Sequence, residues 1–491
     1  MIKKLLFICL LFNTVNSFSQ DLVKEFNLKL ERKRDYLQVV NETKKEVVLF
    51  LNDNEKVTSV KLDSTFTIND SLSHPRLEKS YTDILGYSQK DDNYLLFWGS
   101  KDRKKIISQF FNFTKKETGA TTFELEFDKE KVFKELTINN VFYLITILKK
   151  SGNLKFYIFD NGVLNTRIVD LSNFEFKNKS AAPANLHTVL TEESWDFSVQ
   201  TISNDSPPSL ALSREQFKLY TYKKDEIIFT IDNNPHFTDI LRINLNDFTA
   251  NLKSIKKPVV TRGEYESVLF KSNSFLIDDK ILQIKTNPDV LLFTISDLEG
   301  TIINKYKTLR EEEISFKNTA VFQEVGSLSK KRVLEKPKQF IRKINNSRPS
   351  ISCYSLNGLY YTVIGSSQDI VHSSPNGAGM GIGAGGFSSG VYFSISPGYT
   401  LENLISYKDK NVVYTTCLFD ANFNHLEDTI KTSAFEKARA FLEENEEITT
   451  RTSIFSKDLY KDLILFKFNT SLYLGNYNKE NKKYQIFSFS E

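Results

Sequence analysis

Residues 142–148 read Phe142-Tyr143-Leu144-Ile145-Thr146-Ile147-Leu148. A polar break at Ser151-Gly152-Asn153 follows, then a second apolar run, Leu154–Phe159, and a second break at Asn161-Gly162. Each run is too short for a globular helix and is rich in aromatic and β-branched residues, so each reads as a strand. Asn-Gly tolerates the positive φ of a type I′ turn, which sends one strand back antiparallel to the last. These residues therefore describe a β-meander.

The same unit recurs in both directions. Upstream, Val47–Leu51 ends at Asn52-Asp53-Asn54, and Tyr94–Trp98 precedes Ile106–Phe113. Downstream, Ile227–Ile231 turns through Asn233-Asn234-Pro235 toward Ile240–Leu245, and Ile281–Ile284 turns at Asn287-Pro288-Asp289 into Val290–Ile295. Ile351–Leu356 turns at Asn357-Gly358 into Leu359–Ile364, and the chain closes with Leu463–Phe468, Leu472–Tyr477 and Tyr484–Phe489. A run ending in Asp or Asn at a turn repeats at Phe159-Asp160-Asn161, Leu245-Asn246-Asp247, Ser296-Asp297-Leu298 and Phe419-Asp420-Ala421.

Many short strands with turn signals between them make this an all-β chain. Seven or eight such units point to a β-propeller of about seven or eight antiparallel blades over residues 20–491, because a propeller grows by adding small sheets around one axis. The alternative is two stacked β-domains with a boundary near 310–350. The meander resembles exported β-propeller proteins of Gram-negative envelopes, a resemblance of pattern over most of the chain with no blade signature motif. It implies a binding face around a central channel. Insertions are expected near 172–212, 310–350, 372–390 and 432–450. Within them, Ser433–Glu447 has helical spacing of Phe435, Ala438, Phe441 and Leu442. Ser329–Ile344 is basic and is expected to be broken by Pro337.

Composition supports large buried sheets. The chain has 40 Phe and 21 Tyr among 491 residues, and such rings favour half-buried pleated surfaces. At the front, Lys3 and Lys4 precede the apolar run Leu5–Phe12, followed by small residues Ser17 and Ser19. That is the pattern of a secretory signal peptide, residues 1–19, cleaved after Ser19. The apolar run is short of the ~20 residues that span a bilayer, so no transmembrane segment is expected. Removing the leader removes two lysines from the 65 basic residues and none of the 61 acids, leaving 63 against 61. A balance so near neutral gives no reason to expect a nucleic-acid partner. Beyond the leader only Cys353 and Cys417 remain, too few for a disulfide framework, and both are expected to be buried and unpaired.

Two segments carry chemistry worth placing. The first is glycine-rich, with Gly377, Gly379, Gly381, Gly383, Gly385, Gly386 and Gly390. It contains G-x-G-x-x-G, but a strand-like run follows where a dinucleotide site needs a helix, so a flexible loop is expected. It also contains Gly386-Phe387-Ser388-Ser389-Gly390, a nucleophile-elbow pattern without the strand-to-helix context that chemistry requires. The second is basic: Lys330, Lys331, Arg332, Lys336, Lys338, Arg342, Lys343 and Arg348, with Glu335 alone opposing them in sequence. It is a candidate patch for an anionic partner, or a solvated linker. Trp195, among Glu192, Glu193 and Asp196, is expected to be more exposed than Trp98. The five histidines show no metal-ligand spacing, and no cofactor or metal is expected. The resulting expectation is a monomeric extracytoplasmic binding or scaffold protein contacting an envelope or protein partner. The alternative is an extracytoplasmic hydrolase of peptide or glycan with a site assembled from several blades.

Overall fold

The computed structural model describes residues 20–31, 35–78, 80–81, 83–203, 206–259, 270–326, 331–370, 401–445 and 463–491. Among them, seven sheets of four or five strands follow one another along the chain. Blade 1 comprises Asp35–Asn41, Glu46–Asn52, Lys56–Leu62 and Ile68–Pro75. Blade 2 comprises Asp83–Lys90, Asn93–Gly99, Lys105–Asn112 and Glu117–Glu124. Blade 3 comprises Glu130–Ile138, Val141–Leu148, Leu154–Asp160 and Val163–Val169. In each, neighbours in sequence pair antiparallel, and the last strand is the most exposed.

Blade 4 has Phe217–Tyr220, Glu226–Ile231, Phe237–Asn244 and Ala250–Lys256, with Gln200–Ile202 added in parallel beside its first strand. Blade 5 has Lys271–Ile277, Lys280–Thr286, Val290–Asp297 and Ile302–Leu309. Blade 6 is built out of order. Its two outer strands, Val321–Val325 and Lys331–Leu334, precede its inner strands Arg348–Leu356, Leu359–Asp369 and Lys410–Phe419. Blade 7 takes Leu463–Phe468, Ser471–Asn478 and Lys483–Phe489 from the C-terminal end and Gln20–Asn27 from the N-terminal end. Gln20 pairs with Phe489 and Asn27 with Lys483, so the two ends of the described chain complete one sheet.

The sheets bury their faces against one another in a ring. Leu37, Val39 and Phe50 of blade 1 pack on Tyr87, Leu96 and Trp98 of blade 2. Leu95 and Phe97 pack on Phe142 and Phe159 of blade 3. The Phe97 and Phe142 rings stack at 4.7 Å and 16°, an arrangement that adds about 0.5–1.5 kcal/mol to the area buried. Blades 3 and 4 share Phe156, Leu219 and Phe229. Blades 4, 5 and 6 share one continuous core containing Tyr220, Phe275, Ile281, Ile351 and Ile364. Tyr36, Val47 and Leu49 of blade 1 meet Ile464, Phe466 and Tyr484 of blade 7. This ring is a seven-bladed propeller, not a pair of stacked β-domains.

Among the described residues, five helices lie between strands: α1 (Leu186–Thr191), α2 (Leu210–Ser213), α3 (Pro337–Asn346), α4 (Leu401–Ile405) and α5 (Ala434–Glu444). Pro337 does not break a helix; it opens α3, at the first turn, where its missing N–H costs nothing. The residues before it, 331–334, are a strand instead. α5 matches the sequence pattern. Ser433 caps it in a box with Glu436, and Ala434, Ala438, Phe441 and Leu442 are buried. They pack on Leu463, Leu465 and Phe489 of blade 7, while Arg439 reaches Glu324 of blade 6 at 2.5 Å. α5 thereby joins the sixth blade to the seventh and completes the ring.

The repeated Asp turns have one place in this fold. Asp160, Leu245-Asn246-Asp247, Asp297 and Asp420 stand at the end of the third strand, counted from the axis, in blades 3, 4, 5 and 6. Asp297 Oδ1 accepts from the N–H groups of Glu299 and Thr301 at 3.0 and 2.8 Å. Asp420 Oδ1 accepts from Asn422 and Asn424 at 2.9 and 2.7 Å. These carboxylates are turn formers. Asp160 differs: Asn161 and Gly162 make the turn themselves, at φ 46° and 81°.

Candidate functional site

The inner strands of all seven blades run in one direction, and at the end where they begin, the axis is crossed by protein. Two segments do this: residues 199–203 with 206–216, entering blade 4, and α4 with the turn after it, entering the third strand of blade 6. Leu401, Leu404 and Ile405 anchor α4 on the inner strand of blade 7 through Leu463 and Leu465. From there Glu402 reaches across the ring to Gln200, which hydrogen-bonds it, and to Lys134 on the inner strand of blade 3. Burial raises the Glu402 carboxyl above its ordinary value, against the pull of Lys134 and Gln200. Burial lowers Lys134, against the pull of Glu402 and Glu135.

The two crossing segments hold each other. Asn403 Oδ1 accepts from the Ser209 N–H at 2.9 Å, and Asn403 Nδ2 donates to Ser206 Oγ at 3.0 Å. The Ser406 hydroxyl meets the Ser209 hydroxyl. Beneath them, Ser350 on the inner strand of blade 6 donates to Leu210 O at 2.6 Å. Asn273 on the inner strand of blade 5 donates to Arg214 O at 3.3 Å, and Lys134 donates to Val199 O at 2.7 Å. Inner strands of four blades thus bind this cover. Within this cover Ser206, Ser209, Asn403 and Ser406 hydrogen-bond one another, while the buried Ser213 Oγ has no hydrogen-bond partner among the described residues.

A second buried polar group lies at the junction of blades 4 and 5. Asp232 is paired with Lys257 at 2.7 Å and with Lys218 at 3.9 Å, and all three side chains are about 1% exposed or less. Asp232 also accepts from Ser274 N–H at 2.6 Å and Thr238 Oγ1 at 3.0 Å. Lys257 donates to Asp232 O, Asn234 O and Ser272 Oγ. Burial takes the Lys218 amine down to about 8, despite Asp232. Enclosed so fully, the triad fastens the two blades and offers nothing to a ligand.

Around α5 a third group forms. Arg439 sits between Glu324 and Glu443, the latter at 3.5 Å, and its guanidinium lies 4.4 Å from the Tyr407 ring centre. Tyr414 donates to Glu324 at 2.6 Å. Burial pushes the Glu443 carboxyl up to about 7, only partly countered by Arg439.

The basic residues of the sequence fall on two elements. Lys331 and Arg332 lie on the outermost strand of blade 6; Lys336 precedes α3, and Lys338, Arg342 and Lys343 lie on it. Lys330 and the glycines Gly377, Gly379, Gly381, Gly383, Gly385, Gly386 and Gly390 lie outside the described residues, as do Ser388 and His372. The patch is less uniform than its sequence. Lys338 pairs with Glu311 at 3.6 Å and Arg348 with Glu215 at 4.0 Å. Lys331 lies over the Phe322 ring at 3.8 Å. Burial lowers the Lys343 amine, and the charges of Arg332 and Arg342 add to the effect.

His425 contacts Asn318 Oδ1 at 3.0 Å, and Asp420 beside it is occupied by its own turn, so the pair forms no catalytic dyad. Trp195 is 78% exposed, whereas Trp98 is buried and donates to Gln109 at 3.1 Å. Among the described residues, no three His, Cys, Asp or Glu side chains gather as metal ligands would.

No family model and no curated protein matches the chain. Solved structures with a partial likeness include a chimera of ACO and RPE65, at 9% identity and a TM-score of 0.29. They also include a variant of Synechocystis apocarotenoid oxygenase (10% identity, TM-score 0.29) and its cobalt-substituted form (10% identity, TM-score 0.29). The likeness covers 58% of this chain and 63% of the chimera, and 57% and 62% for the variant, so less than two thirds of those chains. The seven-bladed ring rests on the strand pairing within each sheet and on the cores that neighbouring sheets share.

Proposed function

We propose that this chain is an exported, non-enzymatic propeller that binds an envelope or protein partner through its rim and loops. The leader pattern of residues 1–19 supports export. One structural observation carries the binding reading. At the face where the inner strands begin lie residues 199–203, residues 206–216 and α4, joined through Ser206, Ser209, Asn403 and Ser406, with Glu402 hydrogen-bonded by Gln200. A catalytic funnel needs polar groups aimed at open space; Ser206, Ser209, Asn403 and Ser406 are aimed at each other. At the rim of blade 6, Arg332, Arg342 and Lys343 have no carboxylate partner among the described residues. Among the described residues no helix is long and apolar enough to cross a membrane, which leaves export and peripheral attachment compatible.

Cell fractionation with amino-terminal sequencing tests export: the expected product is extracytoplasmic and starts at Gln20. A chain retained in the cytoplasm with Met1 contradicts it. Assay of the purified protein on peptide and polysaccharide substrates tests the rest, with no turnover expected. Turnover abolished by substitution of a single axial carboxylate, such as Glu402→Gln, would favour the hydrolase.

A further inference from the structure

We propose that Arg332, Arg342 and Lys343 form a binding site for a phosphate group on the rim of blade 6. The inference deepens the binding reading, since it names the chemistry of the partner, and needs no assumption about export.

Two elements build the site. The outermost strand of blade 6 ends at Leu334, two residues link it to α3, and the helix folds back on the sheet. Leu334, Phe340, Ile341 and Ile344 enter the core shared by blades 5 and 6. With those positions turned inward, the helical period leaves Arg342 on the solvent side and Lys343 at the boundary. Arg332 is exposed yet fixed. Its Nε and Nη2 both donate to Gln323 Oε1, at 3.0 and 2.6 Å. Gln323 is itself 3% exposed and donates from Nε2 to Asn411 Oδ1 at 2.6 Å. A guanidinium has five N–H donors, so Arg332 is held in place and keeps donors to spend.

Three like charges gathered this way repel one another. Two other cations of the same segment find acids: Lys338 takes Glu311 at 3.6 Å and Arg348 takes Glu215 at 4.0 Å. Among the described residues, Arg332, Arg342 and Lys343 have no carboxylate partner. Burial lowers the Lys343 amine from the ordinary lysine range, and the charges of Arg332 and Arg342 lower it further. An anion placed among them removes the repulsion. A phosphate fits best, because it carries up to two negative charges and its oxygens match the guanidinium fork. The group could belong to a lipid headgroup or be free in solution.

The test uses the full chain without its leader, the double variant Arg342→Gln/Lys343→Gln, and Lys338→Gln as a paired-cation control. Inorganic phosphate is titrated by calorimetry, and co-sedimentation is measured with phosphatidylglycerol and phosphatidylcholine vesicles. Circular dichroism confirms that all three proteins are folded. The expected result is binding of phosphate, of phosphatidylglycerol vesicles, or of both, weakened at least tenfold in the double variant and unchanged in Lys338→Gln. Binding in the vesicle arm alone assigns the phosphate to lipid; binding in the phosphate arm alone assigns it to a soluble ligand. No binding in either arm, or equal binding by wild type and double variant, overturns the site. Either negative leaves the fractionation and turnover results above untouched.

Discussion

Cys353 and Cys417 stand on opposite sides of Thr362 in one sheet: Cys353 pairs with Thr362 across one strand boundary, and Thr362 pairs with Cys417 across the next. Two strand spacings separate their Cα atoms by roughly 9–10 Å, beyond the ~7 Å that a disulfide tolerates. Both side chains are fully buried. Burial pushes the Cys353 thiol up to about 12, against the Thr362 hydroxyl that donates to it at 3.3 Å. Cys417 is raised further by burial.

The thiolate is the reactive form, so the native mature protein should resist iodoacetamide at pH 8. Intact-mass analysis should show no adduct in the folded state and two after denaturation, with no disulfide before reduction. A Cys353–Cys417 bridge, or rapid native labelling, would contradict this placement.

The buried triad gives a prediction with a defined sign. Lys257→Met removes the 2.7 Å partner of Asp232 and leaves its carboxylate with only the more distant Lys218. Stranding a buried charge costs about 3–5 kcal/mol, read as a lowered urea midpoint. For Lys218, the folded amine has a value of about 8 against 10.5 in the unfolded chain. Between those two pH values the unfolded state holds more protons, so this group adds stability as pH rises through the window. Below pH 8 it is charged in both states and its burial is a fixed cost. Comparing wild type with Lys218→Met at pH 7.5 and 10 should show the pH-dependent increment only in wild type.

Blade 6 depends on a close approach that only glycine allows. A Cβ added at Gly365 would lie 1.9 Å from the carbonyl oxygen of Val413 in the neighbouring strand. Backbone cannot move aside as a side-chain tip can, so Gly365→Ala should destabilise the protein by roughly 1–3 kcal/mol. The thermal midpoint measures this. An unchanged midpoint would mean that these two strands are not paired as described.

How much of this was readable in the chain differs from element to element. The Asp turns at Asp247, Asp297 and Asp420 marked one structural position in three consecutive blades, because a third strand must reverse and Asx hydrogen bonds are local. α5 was equally plain, since Ser433, Glu436 and the spacing of its apolar residues all act within a few turns. Pro337 misled, because the same residue that breaks a helix interior also starts one. Cys353 and Cys417 are 64 residues apart in the chain. That gap lies within one blade, lengthened by residues 370–409 between the second and third strands from the axis. The cover over the axis left no sequence trace. Its contacts join residues nearly two hundred positions apart, such as Ser209 with Asn403, and no local pattern of Ser, Asn and Gln announces them. The basic segment was visible as charge, but which of its members share a site depended on acids at Glu215 and Glu311, far away in the chain.

The ring stands or falls on the pairing of the chain's two ends in blade 7. Asp21 pairs with Ser488, which sets their Cα atoms about 4.5–5.5 Å apart, within disulfide range. The double variant Asp21→Cys/Ser488→Cys, oxidised and analysed by non-reducing peptide mass spectrometry, should yield a single cross-linked peptide joining residues 21 and 488, with Cys353 and Cys417 unmodified. Recovery of both introduced cysteines as free, alkylated thiols in folded protein would mean the N-terminal strand does not complete the last blade, and the closed seven-bladed ring would be wrong.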